Sequence, residues 1–196
     1  MKNQVQIHIA GCKRSGKTTL ARNLAPLLEQ AGYRSIICDV DEVKNRIFGA
    51  EKVMAALPDT PESLEMQSIA IETLFTICIP MVLILGGSPI IVMTHLRRTS
   101  YYRGRDIAAQ YSIPFKFLLV KAPTLEEAKL RAQHIRLEDQ SDMRNFNNPK
   151  IVQSFLLYAK KIEGVYENFS ESYMAVEQAD PQEMAMNAFD YIARSS

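Results

Sequence analysis

The stretch Gly11-Cys12-Lys13-Arg14-Ser15-Gly16-Lys17-Thr18, GCKRSGKT, decides the fold. Two glycines bracket four residues, and a lysine and a threonine follow. Phosphate binding needs this order. Glycine lets the backbone curl until successive N–H groups point inward at phosphate oxygens. Lys17 brings positive charge to β- and γ-phosphates, and the Thr18 hydroxyl suits Mg²⁺. The apolar run VQIHIA (5–10) precedes the loop, and the amphipathic run TLARNLAPLLEQAG (19–32) follows it. A strand before and a helix after are the context that gives this motif its meaning. The helix start adds the positive end of its dipole. Gly11, Cys12, Lys13, Arg14, Ser15, Gly16, Lys17, Thr18 and Thr19 are therefore expected to hold nucleotide phosphates, with Thr18 as the metal residue. The Lys13 and Arg14 side chains, at variable loop positions, are expected to be mainly solvated.

Outward from the loop, short apolar runs alternate with helical patterns. Strands are expected at 4–10, 34–40, 89–95, 115–122 and 172–178. Helices are expected at 17–31, 62–86, 101–111, 124–137, 149–169 and 181–194. Several strands are apolar on both faces, as in a parallel sheet covered by helices. The fold class expected is α/β, a three-layer arrangement with a five-stranded parallel sheet in the order 2-3-1-4-5. One domain over 1–196 is expected, with a lid segment near 131–148. Helix boundaries carry chemical marks: Asp180-Pro181-Gln182-Glu183 and Thr124-Leu125-Glu126-Glu127 both read as capped starts. Gly32 should end the first helix in a left-handed turn.

Composition narrows the partners. The chain of 196 residues has a net charge of +1, which gives no global case for nucleic acid or an anionic membrane surface. Three cysteines without a CxxC pair fit a reducing, cytoplasmic setting better than a disulfide framework. The apolar run TLFTICIPMVLILGG (73–87) is short for a membrane span and is expected as a core helix or a subunit contact. A homodimer is one option for the oligomeric state, which the sequence leaves open. Met54, Met66, Met81 and Met93 are expected as packing residues.

The second strand ends in CDVDEVKNRIFG (38–49). If Asp41 has already entered the turn, Asp39 and Asp41 can both approach the crevice at the carboxyl edge of the sheet, where ligands bind in open α/β folds. One carboxylate could take a hydroxyl proton and the other hold a metal-bound water. The structural alternative is that Asp41 caps a helix over EVKNRIF.

A phosphate loop followed by a strand ending in Asp-x-x-Lys resembles the small P-loop kinases within the AAA-type ATP-binding group. Polynucleotide 5′-hydroxyl kinases, zeta-toxin-like kinases and adenylylsulfate kinases share the pattern. The resemblance implies that Asp41 is the catalytic base and that Lys44 contacts the acceptor. The family more often has arginine there, and lysine keeps the charge without the bidentate fork. The stretch 86–136 resembles the same families through its glycine turn, apolar strand, basic segment, further strand and arginine-bearing helix. It departs at the end of the third strand, where Val92 and Met93 replace an acidic residue. Mg²⁺ would then rest on Thr18, the phosphates, water and Asp39. Thr94, His95, Arg97 and Arg98 are expected at the crevice edge, with Tyr101, Tyr102, Arg103 and Arg105 behind them. Asp39, Lys44, His95 and Arg98 are the substrate-binding candidates. By resemblance an arginine of the lid stabilises the transferring group, Arg136 first and Arg144 second, with Arg131 nearby. Backbone groups near Gln178 and Ala179 are candidates for the adenine edge.

The activity implied is ATP- and Mg²⁺-dependent phosphoryl transfer to a small hydroxyl-bearing acceptor, with Lys17, Asp41 and Arg136 catalytic. The acceptor would be a nucleotide, nucleoside, sugar nucleotide or metabolite. Two alternatives stand beside it: a regulatory nucleotide-binding module with little catalysis, and a polynucleotide 5′-hydroxyl kinase. The Lys-Gly-Leu-Tyr lid motif of adenylylsulfate kinases is absent from 137–150.

Overall fold

The computed structural model describes residues 3–55, 60–94, 97–133, 149–167 and 169–194. Its central strand β1 (Gln6–Ala10) is buried along its whole length. β3 (Ser88–Val92) and β4 (Phe115–Val120) pair with it in parallel, Ile7 lying beside Ile90 on one side and Lys116 on the other. β2 (Ser35–Asp39) and β5 (Met174–Val176) form the edges. The order β2-β3-β1-β4-β5 is the one expected.

Alternation along the strands sends side chains into two layers. Ile7, Ile9, Ile90, Val92, Leu118 and Val120 pack against α1 (Lys17–Gln30) and α9 (Pro181–Ala193). On the opposite face Ala10, Phe117 and Leu119 meet α6 (Arg98–Gln110), α7 (Leu125–Gln133) and α8 (Pro149–Tyr166). Tyr101 and Tyr166 sit in this second layer, Tyr101 edge-to-face with Phe117 and Phe169 and Tyr166 edge-to-face with Phe169. The expected turn at Gly32 has φ 86. Thr124 and Glu127 bond reciprocally at the start of α7, and Asp180 accepts from the Gln182 N–H at the start of α9.

Between β2 and β3 the chain is more helical than expected, with α2 (Val40–Phe48) and α3 (Ala50–Ala55) preceding α4 (Pro61–Thr73). α4 continues through a π-helical turn (Leu74–Cys78) into α5 (Ile79–Ile84). Pro80 explains the π turn. It has no N–H for the carbonyl one turn back, and its ring crowds that carbonyl. Widening the turn just before it relieves the clash, and the Ile79 N–H bonds Leu74 O instead. By length and composition the 24-residue run Pro61–Ile84 could cross a membrane. It packs on the sheet instead, through Ala70, Leu74, Phe75, Ile79, Val82 and Leu83. Its other face leaves Ile77, Met81 and Ile84 exposed. Met81 is therefore not a packing residue, whereas Met66 and Met93 are buried as expected.

Candidate active site

The loop 11–16 joins β1 to α1 with backbone angles that only some residues tolerate. Gly11 has φ 153, Arg14 φ 68 and Gly16 φ 94. A Cβ on Gly11 would stand 2.6 Å from Ser15 Oγ and 2.8 Å from Val120 O, so the loop closes on itself only with glycine there. Ser15 Oγ is buried and has no hydrogen-bond partner among the described residues. α1 starts at Gly16 without a side-chain cap and without an acidic residue in its first turn. Its first N–H groups and its dipole are therefore open to an anion. Lys17 Nζ donates to Cys12 O at 2.7 Å, folded back over the loop. Desolvation lowers the Lys17 pKa from the ordinary lysine value, opposed by nearby negative charge that includes Asp41 and Asp39.

Thr18 reaches the second strand. Its hydroxyl donates to Asp39 Oδ2 at 3.1 Å, while Asp39 Oδ1 accepts the Asp41 N–H at 2.9 Å. The strand stops at Asp39 and helix α2 begins at Val40, so the cap is Asp39 and not Asp41. Desolvation raises the Asp39 pKa above the usual aspartate value, and the bonds from Asp41 N–H and Thr18 work against that rise. Asp41, released from capping, is 72% exposed just past the carboxyl end of β2. Lys44 Nζ lies 3.2 Å from Asp41 Oδ1 and 3.1 Å from Gln67 Oε1 on α4. Phosphate loop, Thr18, Asp39, Asp41 and Lys44 thus form one connected cluster at the carboxyl edge of β1 and β2.

No protein-family model matches this sequence, and no curated protein does. Solved structures match along the whole chain. A sugar kinase from a Janibacter species aligns with a TM-score of 0.62 at 19% identity, covering 97% of this chain and 95% of its own. Shikimate kinase from Acinetobacter baumannii, in complex with shikimate, aligns at 0.60 and 16% identity over 100% and 96%. APS kinase from Mycobacterium tuberculosis aligns at 0.55 and 13% identity over 98% and 99%. The chain has the P-loop kinase fold.

Within that P-loop kinase fold, the residues singled out in the sequence separate. Lys13 and Thr19 are exposed and Arg14 is half-buried at the loop surface. The Cys12 side chain enters the core beside Phe117 and Tyr166, away from the loop surface. Met93 is buried with Val40, Ala70 and Leu74, which makes the end of the third strand apolar. Three arginines of the basic segment are engaged by other partners. Arg98 Nε donates to Val165 O at 2.8 Å, with its guanidinium over Phe169. Arg103 makes two bonds of 2.7 Å to Glu72 and stacks on Phe75, and Arg105 pairs with Glu171 at 3.1 Å. Arg131 bonds Arg14 O and Gln178 Oε1, and beside the Thr124 hydrogen bonds its charge also helps to lower the pKa of Glu127 on its own helix. His95, Arg136 and Arg144 lie outside the described residues.

Two side chains in the cluster carry no sequence signal. Gln67 holds Lys44 from α4, and Gln178 holds the phosphate loop from the β5–α9 turn. An amide has no motif of its own, and only the backbone near Gln178 was marked by its position in the fold.

Proposed function

We propose that this chain is an ATP- and Mg²⁺-dependent kinase that phosphorylates a small hydroxyl-bearing acceptor. One observation carries it: Asp39 takes the Thr18 hydroxyl with one oxygen and the Asp41 backbone N–H with the other, which sets the phosphate loop beside Asp41, whose own carboxylate is exposed. Loop amides and Lys17 hold the phosphates. Lys17 leaves Cys12 O, its only described partner of that kind in the loop, for the phosphate charge it was desolvated to meet. Asp41 takes the proton as the acceptor oxygen attacks the γ-phosphorus, and the bond to the β–γ bridging oxygen breaks to leave ADP. Lys44 steadies Asp41 and faces the acceptor. Arg136, with Arg144 as the second choice, stabilises the transferring group from the lid, and His95 borders the acceptor.

The donor set fits a magnesium ion sparingly. Among the described residues no three His, Cys, Asp or Glu side chains converge on a possible metal site. Thr18 and Asp39 are the groups that would hold Mg²⁺, together with phosphate oxygens and water, as suits an ion that keeps few protein ligands. The ion supplies charge neutralisation at the phosphates.

The decisive experiment incubates labelled ATP with a panel of alcohols, sugars, nucleosides and nucleotides, using wild type, Lys17→Ala and Asp41→Asn. Acceptor-dependent ADP formation that both substitutions abolish is expected. Tight ATP binding without acceptor-stimulated turnover on any panel member would favour the second reading, a regulatory nucleotide-binding module. The apolar end of β3 and the exposed Ile77, Met81 and Ile84 are what favour that reading. A polynucleotide acceptor has less support, because Tyr101 is buried and Arg103 and Arg105 are engaged by glutamates. A single domain in the cytoplasm is part of the proposal, supported by three free cysteines.

A further inference from the structure

The outer side of the phosphate loop is braced by an amide and a guanidinium. Gln178 Nε2 donates to Ser15 O at 3.1 Å and to Lys121 O at the end of β4. Gln178 Oε1 accepts from Arg131 Nη2 at 2.8 Å, and Arg131 Nη1 donates to Arg14 O at 3.0 Å. The amide can point only one way here. Two of its neighbours are carbonyls, which only accept, and the third is a guanidinium, which only donates. Four segments therefore meet at one side chain: the loop, the end of β4, α7 and the β5–α9 turn.

The consequence lies in peptide geometry. In a trans peptide the C=O and the following N–H point in opposite directions. Holding Ser15 O from outside turns the Gly16 N–H toward the inside of the loop, where an anion would sit. Holding Arg14 O fixes the one non-glycine residue of the loop with a left-handed φ, 68. That conformation persists only when its surroundings over-determine it.

We propose that Gln178, with Arg131, is a positioning residue that preorganises the phosphate loop from outside, acting on polyphosphate affinity through the Ser15 and Arg14 carbonyls. This rests on the nucleotide-binding half of the function proposed above and not on transfer. It also differs from a contact to the base, since the amide's hydrogen bonds are spent on protein carbonyls and Arg131.

Calorimetric titration with two fragments separates the roles: inorganic tripolyphosphate, which has no base, and adenosine, which has no phosphate. Gln178→Ala should weaken tripolyphosphate about tenfold, the scale of one hydrogen bond to a charged group, and leave adenosine affinity unchanged. Gln178→Glu should be weaker still, because a carboxylate faces two carbonyls with no proton to give. Arg131→Met should fall between wild type and Gln178→Glu. Thermal melts identify any variant that fails to fold, and the isosteric Gln178→Met then replaces Gln178→Ala. Tripolyphosphate affinity equal to wild type in Gln178→Ala, or a loss confined to adenosine, overturns the brace while leaving the kinase proposal standing. A wild-type chain that binds neither ATP nor tripolyphosphate overturns both.

Discussion

Asp39 holds two contacts at once. It caps α2 with one oxygen and takes the Thr18 hydroxyl with the other. Burial raises its pKa, so between the unfolded and folded values the native state binds more protons. Stability therefore falls as pH rises through that window, and the cost of the buried charge is fully present above the folded pKa. Asp39→Asn removes the charge and keeps the cap acceptor, and the Thr18 hydroxyl can rotate to accept from the new amide. The urea midpoint of Asp39→Asn should equal or exceed wild type at pH 8, with the difference closing toward acid pH. Its Mg²⁺ requirement should rise about tenfold, the scale on which carboxylates near a metal act; titrating activity against Mg²⁺ checks this. A lower midpoint at pH 8 would mean that the carboxylate stabilises the fold. Gly11 is the stricter position. A Cβ there meets the backbone oxygen of Val120 at 2.8 Å, which no rotamer change relieves. Gly11→Ala should lose roughly 1–3 kcal/mol in denaturant unfolding and most of its ATP affinity in the same calorimetric titration.

At the scale of elements, α6 lies tight against β1 at Gly104. Gln6 Nε2 donates to Gly104 O at 2.8 Å and lies 2.8 Å from His8 Nε2. A Cβ on Gly104 would come within 2.3 Å of His8 Cε1. Two effects compete in Gly104→Ala. Helix propensity favours alanine by roughly 1 kcal/mol, and overpacking costs roughly 1–3 kcal/mol. At 2.3 Å the clash wins, so the variant should be less stable in urea, and the penalty should shrink in a His8→Ala background. The same element pair illustrates what sequence patterns carry. The buried strands, the α7 and α9 starts and the turn at Gly32 were legible because each depends on residues within a few positions. The cap of α2 was not: Asp39 and Asp41 both suit it, and the choice falls to where the sheet ends, with Asp39 beside Val92. Gln67 and Gln178 were invisible as site residues because their partners are 23 and 163 residues away. Met81 reads like Met66 in any apolar run, and only the face of the helix on the sheet separates them.

For the whole molecule, three free cysteines report from three places. Cys12 lies in the phosphate loop, Cys38 in β2 and Cys78 in the π turn. Desolvation raises the thiol pKa at all three, up to about 12 at Cys38. Cys78 is only half-buried, so iodoacetamide should alkylate it first, and Cys12 and Cys38 should react only when their surroundings open. The loop that carries Cys12 is tied to β4, α7 and the β5–α9 turn through Gln178 and Arg131. Exposing Cys12 therefore means releasing those ties, while Cys38 packs in a separate cluster with Val40, Leu74 and Ile91, so a cooperative opening of the whole fold is what exposes both. A ligand that binds only the folded state reduces the open population by the factor 1 + [L]/Kd, about 100-fold at 100 times Kd. Saturating ATP with Mg²⁺ should thus slow alkylation of Cys12 and Cys38 by the same factor and leave Cys78 unchanged, and Lys17→Ala should abolish the protection at both sites. Peptide mass spectrometry over time reads all three rates in one sample. Protection of Cys12 alone would show that the loop opens by itself, and that the brace does not couple the phosphate loop to the rest of the fold.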